Sequence, residues 1–447
     1  MNAKPMTRKQ SIEYGRAQRK RLSRSDLGTF DAKARRIDAI GVIHDSCDGR
    51  LAELIPVKFK LMAASMFAFY RGTVEVMAAD LASSTHTQIY AQLCGDAHVK
   101  NFGFFATPDA HVVFDVNDFD ETWPGPWEWD VKRLIASIVV GGREAGESNR
   151  ECKEIVEGFL AEYCHWIHTF SDMTTIEVAR HRARRDLNRP AIAEALEKAQ
   201  RATPLQTLKK LAKKTPSGWK FRSVPNVLWE VPGKTKKLVL DALKQYRDTL
   251  SSDHQLIFDR FHPVDVAFKL VGTGSVGTRD YVVLFFGRDE NDPLFLQVKE
   301  EPPAIYARYI NHPQPQNEGR RVVEGQRALQ VQSDLMLGWC TIEERDYLVR
   351  QLNDHKSSLE IEDLKGSRLM EYSRLCAELL AKGHARSGDP VAIASYLGPS
   401  GKSAESLMRF ASTYAEQVEA DYDAFRKALK NGTLPRKAGT TLSKKSE

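Results

Sequence analysis

Four short stretches of the chain carry side chains from which a phosphate-handling site could be assembled. CGDAHVKN (94–101) places Asp96, His98 and Asn101 on one apolar run. A carboxylate there can orient an attacking hydroxyl or take its proton, and a carboxamide five residues on can ligate a divalent cation. NDFDE (117–121) follows and offers further carboxylates for the same cation. Far downstream, GTGSVG (272–277) supplies backbone amides that side chains would not shield, and FLQVKEE ends an apolar run on Lys299. A lysine at that place is costly to bury unless an anion offsets its charge.

The G-x-G-x-x-G spacing alone is weak, and its context decides how it reads. A dinucleotide-binding turn must run from strand into helix, yet TRDYVVLFFG after Gly277 is β-branched and aromatic and reads as a strand. A glycine loop between two antiparallel strands is the arrangement with which protein kinases cover nucleotide phosphates. Gly272, Gly274, Ser275 and Gly277 are therefore expected to bind a nucleotide, most simply ATP, together with Lys299 in a V-A-I-K-like setting. Glu324 lies 25 residues beyond Lys299 in GRRVVEGQRALQ and is the expected helix partner of that lysine, with Glu318 as the nearby alternative.

Asp96 and Asn101 have the Asp-to-Asn spacing of a kinase catalytic loop. His98 makes the segment G-D-x-H-x-x-N, which resembles aminoglycoside and choline phosphotransferases, although Cys94 stands where those have histidine. Asp96 and His98 are the catalytic candidates: Asp96 as base or orienting group, His98 supporting the loop or touching the γ-phosphate. Asn101 and Asp118 are the expected Mg²⁺ ligands, Asp118-Phe119-Asp120 resembling D-F-G or D-W/F-E, with Asp115 as an alternative ligand. Asp130, in PWEWDVKRL, resembles a buried aspartate that braces the catalytic loop.

The elements that must position these residues read as α+β. Helical spacing runs over about 50–82; short strands surround the 94–120 motifs; EWDVKRLIASIVVGGREAG is a strong helix. After a break at TPSGWKFRSVPNVLWEVPGK, the chain turns to strands, then to a helix over about 318–333, a strand at ERDYLVRQLND and long C-terminal helices. The catalytic half thus precedes the nucleotide half. The expectation is a circularly permuted, kinase-like fold of two lobes: a basic arm (1–30), a helical lobe with the catalytic loop and metal hairpin (31–250), a β-rich nucleotide lobe (255–355), helices completing the helical lobe (356–430) and a disordered tail (431–447).

FAFYRG (67–72), GDAHVKNFG (95–103), FDVNDFDE (114–121), WEWDVKRL (127–134), GTGSVGTRDYVVL (272–284), VKE (298–300), VVEGQR (322–327), DYLVRQL (346–352) and HARSGD (384–389) together resemble the bacterial domain-of-unknown-function family 2252 over about residues 10–430. That resemblance implies no reaction. The expected function therefore rests on the motifs: an ATP- and Mg²⁺-dependent phosphotransferase acting on a hydroxyl of a small-molecule or protein acceptor. AMP transfer or nucleotide sensing on the same fold, and a basic nucleic-acid scaffold, are the alternatives. The net charge of +6 is mild for 447 residues and the basic runs read as solvated surface, which argues against nucleic acid as a partner. Six cysteines without C-x-x-C spacing fit reduced thiols in a cytoplasm, and neither a signal segment nor an apolar run long enough for a membrane span is expected.

Overall fold

The structure, a computed structural model, describes residues 5–109, 111–182, 192–270, 272, 274–352, 357–359, 361–399 and 401–435. It is a mixed α+β protein. Four short strands frame the first motifs: β1 (Tyr90–Leu93), β2 (Phe102–Ala106), β3 (Val112–Val116) and β4 (Trp123–Pro126). β1 pairs with β4, and β2 with β3, so both acidic motifs hang from two small antiparallel ladders.

The remaining strands are β5 (Ala212–Thr215), β6 (Gly218–Phe221), β7 (Leu228–Glu230), β8 (His262–Lys269), β9 (Asp280–Phe286), β10 (Pro293–Glu300), β11 (Gly338–Ile342), β12 (Arg345–Gln351) and β13 (Ser357–Ser358). Six of them form one antiparallel sheet in the order β11-β12-β10-β9-β8-β7, while β13 adds to β2. Every residue of β9 and β10 is buried. That explains why DYVVLFF lacks apolar–polar alternation: both faces of the sheet are covered. Helices Gly233–Asp248 and Ser252–Phe258 pack on one face; helix Pro204–Leu211 and the β5–β6 hairpin pack on the other. Residues 204–258 therefore pack with the sheet, and the boundary expected near 250 falls inside this unit.

The helical body forms around helix Glu128–Ala145, which is buried on nearly all sides and stops at Gly146 in the left-handed conformation (φ 94°). Helices Asn149–Asp172, Ser367–Ser387 and Lys402–Lys430 surround it. The basic N-terminal stretch departs from expectation, because it is an ordered helix, Arg8–Arg21, with a Thr7/Gln10 capping box. Gly15 lets it approach helix Pro390–Leu397 so closely that a Cβ would lie 2.2 Å from the Ala392 carbonyl. Arg19, Arg21 and Arg24 direct donors at backbone carbonyls of this same chain. The tail expected to be disordered lies, from 436 onward, outside the described residues. Among the described residues no helix is long and apolar enough to cross a membrane, and the six cysteines are unpaired.

Candidate active site beneath the glycine loop

β1 leads into a tight turn at Gly95 (φ 90°), where a Cβ would collide with the Glu121 carbonyl at 2.0 Å. Only glycine fits that turn. The Asp130 carboxylate accepts the Cys94 and Gly95 N–H groups at 2.8 and 3.1 Å, and Tyr306 Oη donates to the Gly95 carbonyl at 2.6 Å. His384 Nε2 lies 3.4 Å from Asp130, and its Nδ1 is 2.8 Å from Tyr163 Oη. Asp130 thus has the bracing place expected of it.

Beyond the turn, Asn101 Nδ2 donates to the Asp96 carbonyl at 2.6 Å, which closes the loop across its five-residue span. Buried His98 accepts the Lys100 N–H on Nδ1 at 3.2 Å and faces Asp96 Oδ2 with Nε2 at 3.6 Å. Burial, helped by Arg71 and Arg133, pushes its pKa well below the ordinary value. A neutral His98 that props Asp96 follows from this geometry. Asp96 itself is pushed up to about 6 by burial, against the pull of Arg133. One carboxylate oxygen, Oδ1, is held by Arg133 at 2.9 Å; Oδ2 faces the cavity-lining His98. Arg133 also donates to the Tyr70 carbonyl at 2.8 Å and lies 3.8 Å above the Tyr70 ring. That is what FAFYRG does here: its helix, Met66–Arg71, seats the arginine that seats Asp96.

The NDFDE segment follows β3. Asp118 and Asp120 both line the cavity, whereas Asp115 points away into an ion pair with Lys382 of helix Ser367–Ser387. Asp115 is thereby removed as an alternative ligand. Burial and its neighbour Asp120 raise the pKa of Asp118; for Asp120, burial is outweighed by Lys299, which holds it low. Lys299 Nζ donates to Asp120 Oδ2, Ser275 Oγ donates to the same oxygen at 3.2 Å, and buried Asp120 Oδ1 has no protein partner.

Lys299 therefore finds its anion, Asp120, nearby in the fold, and Glu324 is not its partner. Glu324 is exposed and pairs with Arg320 at 2.7 Å, because the inward face of helix Glu318–Leu329 presents Arg321, Val322, Gly325, Gln326 and Leu329 instead. Glu318 is no substitute, since it pairs with Arg321 at 2.5 Å. A second carboxyl group, Glu301, lies 3.9 Å from Lys299, fully buried and with neither oxygen hydrogen-bonded. Burial holds Glu301 well above the usual carboxylate range. Asp120 and Glu301 were missed by sequence reasoning, although the alternation of a strand already puts residues 299 and 301 on one face.

The glycine run joins β8 to β9, as its strand-like flanks required. Gly272 (φ 64°), Gly274 and Ser275 line the cavity; Gly277 (φ 96°) instead meets the chain at Arg50 and Leu51. Leu51 N–H donates to the Gly277 carbonyl at 2.7 Å, and Arg50 Nη1 to the Val276 carbonyl at 2.7 Å. The cavity of about 100 Å³ thus gathers Asp96, His98, Asn101, Asp118, Gly272, Gly274, Ser275 and Lys299, all named from sequence. It adds Asp120 and a wall of Arg50, Lys58, Arg71 and Glu75 that no local motif announces.

The chain is a mixed α+β protein with one charged cavity lined by the glycine run, Lys299 and the two acidic segments. Over residues 50–428 the chain matches the family described as "Uncharacterized protein conserved in bacteria (DUF2252)", and it belongs to that family. No curated protein and no solved structure matches the chain.

Proposed function

We propose that the protein is an ATP- and Mg²⁺-dependent phosphotransferase of kinase-like architecture that acts on a hydroxyl group. The observation that carries this reading is the Lys299–Asp120 ion pair under the glycine loop, in one cavity with Asp96 and Asn101. Counted from the glycine-loop strand, β8, β9 and β10 are followed by a helix, and the lysine stands on the third strand, the order found in kinases. The chain order is rotated. Gln92 N–H in β1 donates to Ser387 Oγ at 3.1 Å, so the end of helix Ser367–Ser387 adjoins the strand that leads into the catalytic loop. That closeness supports a circular permutation, in which an unpermuted chain would run directly across this contact.

The cavity suits a phosphate chain rather than a whole nucleotide, being below the roughly 300 Å³ at which small-molecule sites usually begin. Its donors also fit Mg²⁺. Among the described residues no cluster of three or more His, Cys, Asp or Glu forms a closed metal cage, but Mg²⁺ takes one or two carboxylates plus phosphate oxygens and water. Asn101, Asp118 and the unpartnered Oδ1 of Asp120 are that set. When bound, Mg²⁺ would neutralise phosphate charge.

The protein's own residues do the rest. Loop amides of Gly272, Gly274 and Ser275 and the Lys299 ammonium receive the phosphates. Asp96 Oδ2 takes the proton of the acceptor hydroxyl, whose oxygen forms a bond to the γ-phosphorus as the bond to the β,γ-bridging oxygen breaks and ADP leaves. Arg133 and His98 hold Asp96 for that step, and positioning with charge neutralisation supplies most of the rate. The test is label release from ATP. With γ-labelled ATP and Mg²⁺, wild type is expected to hydrolyse or transfer label and Asp96→Asn to lose most of that activity. Transfer of α-label instead would establish adenylyl transfer and overturn the reading.

A further inference from the structure

The charged side chains that line the cavity are nearly all engaged within the protein. Arg50 donates to the Val276 carbonyl, Asp96 and Asp120 are held by Arg133 and Lys299, and Glu121 Oε2 accepts the Ile305 N–H at 2.7 Å. Lys58 and Glu75 are the exceptions. Both line the cavity, at 1% and 5% exposure, and neither has a hydrogen bond or an ion pair among the described residues. Lys58 stands on helix Ile55–Met62 and Glu75 in the first turn of helix Val74–Ala82. Burial and Arg50 lower the pKa of Lys58 and Glu75 opposes them, so the two groups feel each other although they are too far apart to pair.

A buried donor and a buried acceptor without partners each cost free energy, and a ligand that satisfies both recovers it. Their charges decide what kind of ligand that is. An anion would suit Lys58 but meet Glu75, in a cavity where carboxyl side chains outnumber cationic ones. A cation would suit Glu75 but meet Lys58 and Arg50. A neutral hydroxyl serves both groups, since its oxygen accepts from the lysine and its proton is donated to the carboxylate. The enclosure of both side chains and a cavity volume of about 100 Å³ favour a short polyol over an extended polypeptide.

We propose that Lys58 and Glu75 bind a second, neutral hydroxyl of the acceptor, which makes the substrate class a small uncharged polyol, such as a sugar or a cyclitol. This assignment deepens the phosphotransfer reading and rests on it. One hydroxyl of the polyol lies at Asp96 and reacts; another bridges Lys58 and Glu75 and fixes which hydroxyl is presented.

The test is calorimetric titration of small molecules into the full-length protein saturated with Mg²⁺ and the non-hydrolysable ATP analogue AMP-PNP. The set is glucose, myo-inositol and glycerol, with glucuronate and glucosamine as charged counterparts of glucose. At least one neutral polyol is expected to bind, and neither charged compound to bind more tightly than it. Lys58→Met and Glu75→Gln should each weaken that polyol about tenfold while AMP-PNP binds as before. They should also shift the preference in opposite directions, Lys58→Met toward glucosamine and Glu75→Gln toward glucuronate, which a variant that merely unfolds cannot do. The proposal fails if a charged compound binds best to wild type, if either substitution leaves polyol affinity unchanged, or if both shift the preference the same way. If AMP-PNP binds and no neutral polyol does, the hydroxyl site fails and the phosphotransfer reading stands. If a polyol binds through Lys58 and Glu75 but AMP-PNP does not bind, the phosphotransfer reading fails and the hydroxyl site stands.

Discussion

Arg133 Nε donates to Asp96 Oδ1 at 2.9 Å across 37 residues of sequence, and the same guanidinium is locked on the carbonyl and ring of Tyr70. Three segments thereby determine the orientation of one carboxylate: the loop after β1, the helix Glu128–Ala145 and the helix Met66–Arg71. Arg133 is buried, and its planar fork matches two acceptors at once.

A lysine cannot reproduce that fork. Arg133→Lys is expected to lower turnover by on the order of tenfold to a hundredfold while Mg²⁺·ATP affinity stays within about twofold. Paired kinetic and binding measurements check it; parallel losses in both would mean that Arg133 supports the nucleotide and not Asp96.

Gly95→Ala should destabilise the fold. The residue would have to adopt φ 90° and place its Cβ against the Glu121 backbone, so strain and overpacking add. A loss of about 2–4 kcal/mol in urea unfolding is expected.

Asp120 and Glu301 flank the same lysine but should respond unequally to replacement by the amide. Asp120 is ionised and paired with buried Lys299, so Asp120→Asn breaks a buried pair and is expected to cost about 3 kcal/mol. Burial holds Glu301 in its neutral form, so Glu301→Gln should change stability by less than about 1 kcal/mol at pH 7. Equal losses from the two substitutions would contradict this division.

Lys132 provides a pH test away from the cavity. It is buried on helix Glu128–Ala145 over the Phe410 ring, and burial, against the pull of Glu128, pushes it down to about 8. Between that value and the unfolded value near 10.5 the unfolded chain binds more protons, so stability rises with pH across that window. Below pH 8 the burial penalty is fully present, up to about 3 kcal/mol. Lys132→Met is therefore expected to stabilise the protein at pH 7 and to lose that advantage by pH 10, as followed by urea midpoints.

The parts of the site that were legible in the sequence are those whose geometry is local. The Asp96-to-Asn101 spacing is one loop closed by one hydrogen bond, and the glycine run followed by a strand leaves few alternatives. Lys299 was legible because an apolar strand ended on a charge. Glu324 failed for a readable reason: in VVEGQRAL the inward face follows Val322, Gly325, Gln326 and Leu329, which leaves residue 324 outside. Choosing among Asp115, Asp118 and Asp120 required the register of β2 and β3 and the position of Lys382, neither of which is local. The Arg50–Lys58–Arg71 wall was illegible for the same cause, since three separate turns of helix and loop meet only when folded. The basic N-terminal stretch misled through composition: its helix is held by a capping box and by close packing at Gly15, not by apolar residues.

The proposed reaction requires that the cleft bind a nucleotide through Lys299 with Mg²⁺. Calorimetric titration of ATP in the presence and absence of Mg²⁺, on wild type and on Lys299→Ala shown by circular dichroism to be folded, tests it directly. One-to-one, Mg²⁺-dependent binding to wild type is expected, weakening about tenfold or more in Lys299→Ala. No binding by wild type, or equal binding by both proteins, would contradict it.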